Sequence, residues 1–305
     1  MGDDTKPSVT LIGPGAIGAA LAGALVDAGH QPTLVARTPF GRLRVEWPEG
    51  AVDVAANCVS SPADLDHADV VIVATKAIHN ASIAEHVRAA LGPNSVLLVA
   101  QNGVDHFDRF TALGVDAGAI VPAVVLLPAE RPAPGHSVVS GAARLRVPAG
   151  TAAARIESLF EDTFVQVSVT DDWVSAAWQK LLMNAPSGAM SVLARRGPEI
   201  YADIEAQELL HALMQETLAV AQAEGAEIDP TMPEKLLAYF VGNAGGHTTS
   251  IALDRMADRP TEWRERNAIV VERARRHGID VPLTQAFVTL MRLGEPDFEP
   301  LVEGD

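Results

Sequence analysis

Short β-branched and aliphatic runs alternate with helical patterns through the first half of the chain. Val9–Ile12, Thr33–Ala36, Val70–Ala74 and Ser95–Ala100 read as buried strands, while Ala16–Ala28, Ser82–Leu91 and Asp105–Leu113 carry apolar positions at helical spacing. That alternation predicts βαβ units and a parallel, doubly wound sheet. Arg42–Trp47 and Ala51–Ala55, joined by Pro48-Glu49-Gly50, predict a hairpin inserted after the second strand. From Ala119 to Val147 the chain turns extended and is punctuated by Pro and Gly, which predicts further strands at the sheet edge. Thr151–Phe160 predicts one more helix, and Phe164–Val169 a last strand.

After Thr170-Asp171-Asp172 the period changes. Trp173–Ala194, Ile204–Ala223, Pro233–Phe240 and Trp263–His277 carry helical spacing, and Gly245–Asp258 reads as turn-rich. Asp172 is the predicted N-cap, with Gly225, Gly278 and Pro282 as stop signals. The expectation is an α/β chain: a doubly wound sheet over 1–171, an all-α domain over 172–305, and an active cleft between them.

At 305 residues the chain has room for two cores, and 48% hydrophobic with 20% charged residues is the balance of an ordinary globular protein. The 23 basic and 39 acidic residues give a net charge of −16, which argues against nucleic acid or an anionic membrane as partner. A few local cations still permit an anionic substrate. Cys58 is the single cysteine, so no intrachain disulfide and no cysteine-based metal cluster is possible, and the nine histidines form no pair at metal-ligand spacing. No metal is expected. The opening residues lack a basic segment followed by an apolar core, and the apolar stretch Ala117–Ala129 is broken by Pro122 and Pro128. A cytoplasmic enzyme is the expectation.

Gly13-Pro14-Gly15-Ala16-Ile17-Gly18 follows the first strand and opens a small-residue helix. In that context the first glycine permits a tight turn, the second admits a pyrophosphate, and the third lets helix and strand pack closely. The N–H groups of the helix start then face the phosphates. At the end of the second strand, where an NAD site usually carries a carboxylate, Arg37 stands instead. A guanidinium suits a 2′-phosphate, so the expected cofactor is NADPH. Arg42 is a second candidate for that contact and equally reads as a solvated cation beside the hairpin.

Lys180 and Asn184 are four apart on the first helix of the second domain and project from one face. Taken alone, Lys180 is as readily the exposed lysine of an amphipathic helix. Downstream, Glu262 stands near another helix start, with Ser250 and Asp254 before it; His247 is a loop histidine close to Ser250. A cationic acid, an amide, a hydroxyl and a carboxylate suffice to hold and protonate a small oxoacid.

These residues resemble the ketopantoate reductases (2-dehydropantoate 2-reductases). The resemblance runs the length of the chain through the glycine turn, Thr75-Lys76-Ala77, Gln101-Asn102-Gly103, Lys180-Leu181-Leu182-Met183-Asn184, Ser250 followed at twelve residues by the Glu262 of Pro260-Thr261-Glu262, and His277-Gly278-Ile279-Asp280-Val281-Pro282. It implies an NADP-binding Rossmann-type domain followed by a helical substrate-binding and catalytic domain. The implied reaction is NADPH-dependent reduction of 2-dehydropantoate to pantoate, in pantothenate and coenzyme A biosynthesis.

By matching motif, Lys180 is the implied general acid and Glu262 orients the substrate hydroxyl. Asn184 and Ser250 bind the substrate, and Asn102 lies by nicotinamide and substrate. Gly13, Gly15, Ala16, Ile17, Gly18, Arg37 and Lys76 bind the cofactor. Read without the resemblance, Lys76 and Asn102 are also compatible with loop solvation and an Asn-Gly turn. The chain departs from the family at Gly188, where a substrate-binding asparagine is usual, and in the run Trp263-Arg264-Glu265-Arg266-Asn267-Ala268. Alternatives are a reductase of a different 2-oxoacid and a non-catalytic NADPH-binding sensor. A β-hydroxyacid dehydrogenase is the nearest other enzyme, but it usually places a Gly-rich turn before its lysine, and Asp172–Gln179 contains no glycine. A homodimer through the helical domain is a further expectation.

Overall fold

The computed structural model describes residues 6–246 and 248–300, and the chain divides into two compact units, Met1–Trp173 and Val174–Asp305. In the first, β1 (Val9–Ile12), β2 (Thr33–Val35), β5 (Cys58–Val59), β6 (Ala68–Val73), β7 (Leu91–Val99) and β8 (Ile120–Pro122) form one sheet in the order β5-β2-β1-β6-β7-β8. Every pairing in it is parallel. Its central strands are buried on both faces, so they read as unbroken aliphatic runs whose alternate residues enter two cores. Leu11, Val70, Ile72, Val96 and Leu98 join one core with helix α1 (Ala16–Asp27). Ile12, Val71, Val73, Leu97 and Val99 join the other, with α2 (Asn80–Ala90) and Phe110 of α3 (His106–Thr111).

The predicted hairpin is β3 (Arg42–Trp47) against β4 (Gly50–Ala55), and it packs on α1, where a Cβ on Gly23 would lie 2.6 Å from Val45. The segment from Ala119 to Val147 corrects the expectation of strands gathered at one sheet edge. Only β8 joins the main sheet. The strands β10 (Ala129–Ala133) and β11 (His136–Val139) extend the β3–β4 hairpin into a second sheet, while β9 (Val124–Leu126), β12 (Ala143–Pro148) and β13 (Val165–Thr170) make a third. Helix α4 (Thr151–Leu159) packs Ile156 and Leu159 into the core shared with α1.

The second unit is helical: α5 (Trp173–Ala194), α6 (Ile204–Ala223), α7 (Met232–Gly242), α8 (Ser250–Met256), α9 (Ile269–His277) and α10 (Pro282–Leu293). Two of these correct the sequence reading. The stretch expected to be turn-rich contains α8, whose Ile251 packs with Ala189, Val192 and Met291. Pro282, expected to end a helix, begins one. The carboxylate of Glu216 on α6 accepts from the backbone N–H groups of Leu283 (2.9 Å) and Thr284 (2.7 Å), so this helix start is capped from a distant residue. Gly278, at φ +67°, closes α9 in the left-handed conformation that glycine adopts without strain.

Candidate active site

The order of the six parallel strands reverses between β1 and β6, and ligands in open α/β sheets lie outside the strand ends at such a point. The glycine turn leaves β1 there. Gly13 has φ +91°, and a Cβ on it would stand 2.4 Å from Thr75 Cγ2 and 2.7 Å from the Thr75 nitrogen. A Cβ on Gly18 would fall 2.2 Å from the Gly13 carbonyl oxygen. The protein itself therefore demands glycine at both positions. Gly15 differs, because a Cβ there would meet nothing within 4 Å. It is the N-cap of α1, with no side-chain cap and no acidic residue in the first turn. Ala19 is the first residue whose N–H reaches back to the Gly15 carbonyl (2.9 Å), so the N–H groups of Ala16, Ile17 and Gly18 precede the helical ladder. Open space over a bare helix start fits a pyrophosphate.

Beside the turn, a polar network holds the strand-end loops. The Gln101 amide nitrogen donates to Asn80 Oδ1 (2.7 Å) and to Thr75 Oγ1 (3.2 Å), while Asn80 Nδ2 returns a bond to Gln101 Oε1 (3.3 Å). Arg109 donates to Gln101 Oε1 (3.2 Å) and to the Asn102 carbonyl (2.8 Å), and is itself paired with Asp105 at 3.2 Å. Burial makes such a network costly to disrupt. It fixes the backbone that carries Asn102, with Gly103 at φ +109° completing the turn, and it reaches Thr75, next to Lys76. Arg37 lies exposed on the bend after β2 and makes no hydrogen bond or ion pair among the described residues. Arg42, by contrast, is committed to Asp53 at 2.7 Å.

In the second unit Lys180, Glu262 and Ser250 meet around a buried guanidinium, that of Arg266. Lys180 and Asn184 stand one turn apart on α5, each partly exposed. Enclosure by protein, and secondarily the positive charge of Arg266, pull the Lys180 ammonium down from 10.5 to about 8, against the opposing pull of Glu262. Glu262 is buried just before the Trp263 helix start, and the neighbouring Thr261 is fastened by Glu295, which accepts from its N–H (2.8 Å) and its hydroxyl (2.5 Å). Beyond Glu262 the chain winds as a π turn over Arg264–Ala268. The wider turn places adjacent Arg266 and Asn267 both inside, 3% and 2% exposed. Asn267 donates to the Ala185 carbonyl at 2.7 Å, and Arg266 Nη1 donates to Ser250 Oγ at 3.3 Å. Burial lowers the Arg266 guanidinium, while Glu262 and Asp254 support its charge.

Two family models cover most of this chain: ketopantoate reductase PanE/ApbA over residues 9–151, and its C-terminal domain over 172–295. The chain belongs to the ketopantoate reductase family. It is 35% identical over 285 residues to the 2-dehydropantoate 2-reductase of Caulobacter vibrioides, covering 93% of this chain and 98% of that one. Among solved structures it resembles 2-dehydropantoate 2-reductase from Geobacter metallireducens, with TM-score 0.87, 24% identity and coverage of 94% and 99%. It also resembles a dimeric ketopantoate reductase from Staphylococcus aureus, with TM-score 0.85, 22% identity and coverage of 96% and 100%. Ketopantoate reductases are pyridine-nucleotide-dependent oxidoreductases, and the fold is theirs: an α/β Rossmann-type unit followed by a helical one.

The residues named from the sequence thus divide by unit. Gly13, Gly15, Ala16, Ile17, Gly18, Arg37, Lys76 and Asn102 belong to the first, while Lys180, Asn184, Ser250 and Glu262 belong to the second. Within the second, Lys180, Glu262 and Ser250 gather around Arg266; Asn184 is one turn along α5 from Lys180. His247 lies outside the described residues. Sequence reasoning missed the holding network of Gln101, Asn80 and Arg109, and it missed Arg266. The one available signal for Arg266 was its spacing four residues after Glu262, and its backbone N–H indeed donates to the Glu262 carbonyl at 3.1 Å. No helix among the described residues is long and apolar enough to cross a membrane.

Proposed function

We propose that this chain reduces 2-dehydropantoate to pantoate with NADPH, a step toward pantothenate and coenzyme A. The observation that carries this reading is Lys180, an ammonium held at about 8 beside a buried carboxylate. A general acid works best with its pKa near the working pH, and Lys180 meets that condition. When bound, the reduced nicotinamide supplies the hydride to the substrate's ketone carbon. Lys180 gives its proton to the carbonyl oxygen as negative charge develops there, and its charge stabilises that oxygen beforehand. Glu262 orients the substrate hydroxyl and favours the charged form of Lys180. Asn184 and Ser250 bind the substrate's polar groups, and Asn102 holds the substrate from its strand-end turn. The open face of Gly15, with the first N–H groups of α1, takes the pyrophosphate, and Lys76 lies along the cofactor.

Support for NADPH comes from Arg37, exposed and uncommitted where a carboxylate would otherwise contact the ribose. A homodimer belongs to the same reading, supported by Ile204, Tyr239 and Leu290 exposed on three helices of the second unit. Light scattering on the purified protein reads it directly.

The test is turnover of purified protein with ketopantoate, followed through loss of NADPH absorbance. NADPH is expected to outperform NADH, and Arg37→Ala to narrow that preference by about tenfold or more. An unchanged ratio moves the phosphate contact elsewhere. Turnover of another 2-oxoacid in place of ketopantoate would keep the reaction and change the substrate; Gly188 and Arg266 are the observations that favour testing it. Tight NADPH binding without turnover of any 2-oxoacid would make the chain a sensor.

A further inference from the structure

Arg266 is the buried cation that the mechanism above leaves without a task. Its single side-chain hydrogen bond among the described residues is the one from Nη1 to Ser250, at 3.3 Å, and its enclosed Nε has no partner. A guanidinium carries five donors in a planar fork that matches a carboxylate, and leaving such donors enclosed and unfilled is costly. A glycine packs directly against it. A Cβ on Gly188 would stand 3.7 Å from Arg266 Nη2 and 3.1 Å from Ile251 Cγ2, so any longer side chain there would run into the guanidinium.

Resting on the reductase reading above, we propose that Arg266, under-bonded beside Lys180 and Ser250, receives the carboxylate of the oxoacid and selects a substrate carrying one negative charge. The selection follows from the charges in the cluster. Lys180 and Arg266 are the two cations, and Glu262 and Asp254 are the carboxylates that act on them. Asp254 is also held by Arg259 at 3.0 Å, which leaves the cluster one positive charge in excess. A monocarboxylate balances that excess. A dicarboxylate brings a second negative charge into an enclosure that has no cation left for it, and this is costly. Ser250, bonded to the same guanidinium, sets the height at which the carboxylate meets the fork.

The assignment separates from a purely structural role by removing the charge from the ligand as well as from the protein. Calorimetry in the presence of NADP⁺ compares pantoate, its methyl ester and malate on the whole protein. The wild type is expected to bind pantoate at least about tenfold more tightly than the ester or malate. Arg266→Gln is expected to weaken pantoate about 100-fold while changing the ester by less than about threefold. Arg266→Lys preserves the positive charge beside Glu262, and hence the fold if the Gln variant fails. It loses the fork and is expected to weaken pantoate by about tenfold and spare the ester.

Equal losses for acid and ester in these variants, or unchanged pantoate binding in Arg266→Lys, overturn the assignment without touching the reductase reading. A wild type that ignores ketopantoate and pantoate but binds another 2-hydroxy monocarboxylate in an Arg266-dependent way does the reverse. A wild type that binds malate as tightly as pantoate overturns the selection for one charge.

Discussion

The two halves of this protein prepare their sites by opposite means. In the first unit the determinants are absences: no side chain at Gly15, no cap on α1, and open space above it. Backbone donors point outward, and the sheet supplies rigidity from below. In the second unit the determinants are charged side chains, with Glu262, Asp254 and Arg266 buried in a helical core and the ammonium of partly exposed Lys180 drawn against them. The first arrangement costs the fold little, because an exposed helix start is solvated without a ligand. The second opposes the fold, since each enclosed charge must be offset by a neighbour. The pyrophosphate cradle and the acid–base chemistry therefore respond differently to mutation, and the contrast is testable.

The sharpest break comes from Lys180→Met. Turnover is expected to fall by roughly 10²–10⁴-fold with NADPH affinity unchanged, read by steady-state rates and fluorescence titration. The same change is expected to stabilise the protein by roughly 1–3 kcal/mol at neutral pH. The folded lysine, at about 8, binds fewer protons than the unfolded one at 10.5, so stability rises with pH between those values. The advantage of the Met variant in thermal melts should accordingly be full below about pH 8 and disappear toward 10.5. A variant that melts lower than wild type at pH 7 would refute the cost assigned to the buried ammonium.

Within the first unit, a pair of substitutions separates fold from ligand. Gly15→Ala meets open space, and is expected to leave the melting temperature unchanged while lowering dinucleotide affinity by about tenfold or more. Gly13→Ala meets Thr75 and carries a φ of +91°, and is expected to destabilise by roughly 2–3 kcal/mol. Equal effects of the two on stability would remove the distinction between them. A smaller effect is read from pH alone: the reduction rate should decline above pH 8, by about tenfold per unit at the limit, as Lys180 loses its proton. In Lys180→Met the residual rate should lack that inflection. Smallest of all, Glu295→Gln keeps the shape of the Thr261 tether but loses its charge, and should lower kcat/KM by about three- to fivefold with binding of NADPH unaltered.

The legibility of the sequence follows the same divide. The parallel sheet announces itself because strands buried on both faces are continuous aliphatic runs, and the glycine turn is local to six residues. Lys180, Asn184, Ser250 and Glu262 were nameable from spaced motifs. Three features were hidden because their causes are remote. Helix α10 is capped by Glu216 on α6, and the proline at its first position reads equally as the stop of the helix before it. Helix α8 is seven residues long and held by Ile251 in a tertiary cluster. Arg266 sits in Arg264-Glu265-Arg266, which resembles a solvated charged face until the π turn rotates it inward. The strands after Ala119 were recognisable as strands, but their distribution among three sheets depends on partners as distant as β3.

The Glu295 tether also has a consequence for the order in which a nascent chain becomes competent. The glycine turn is built from β1, α1, β2 and the Thr75 loop, all within the first quarter of the sequence. Thr261, beside Glu262, is fastened by a residue 34 positions further on. At about 5–20 residues per second, the residues of the cradle leave the ribosome's catalytic centre many seconds before the acid–base cluster acquires its last anchor.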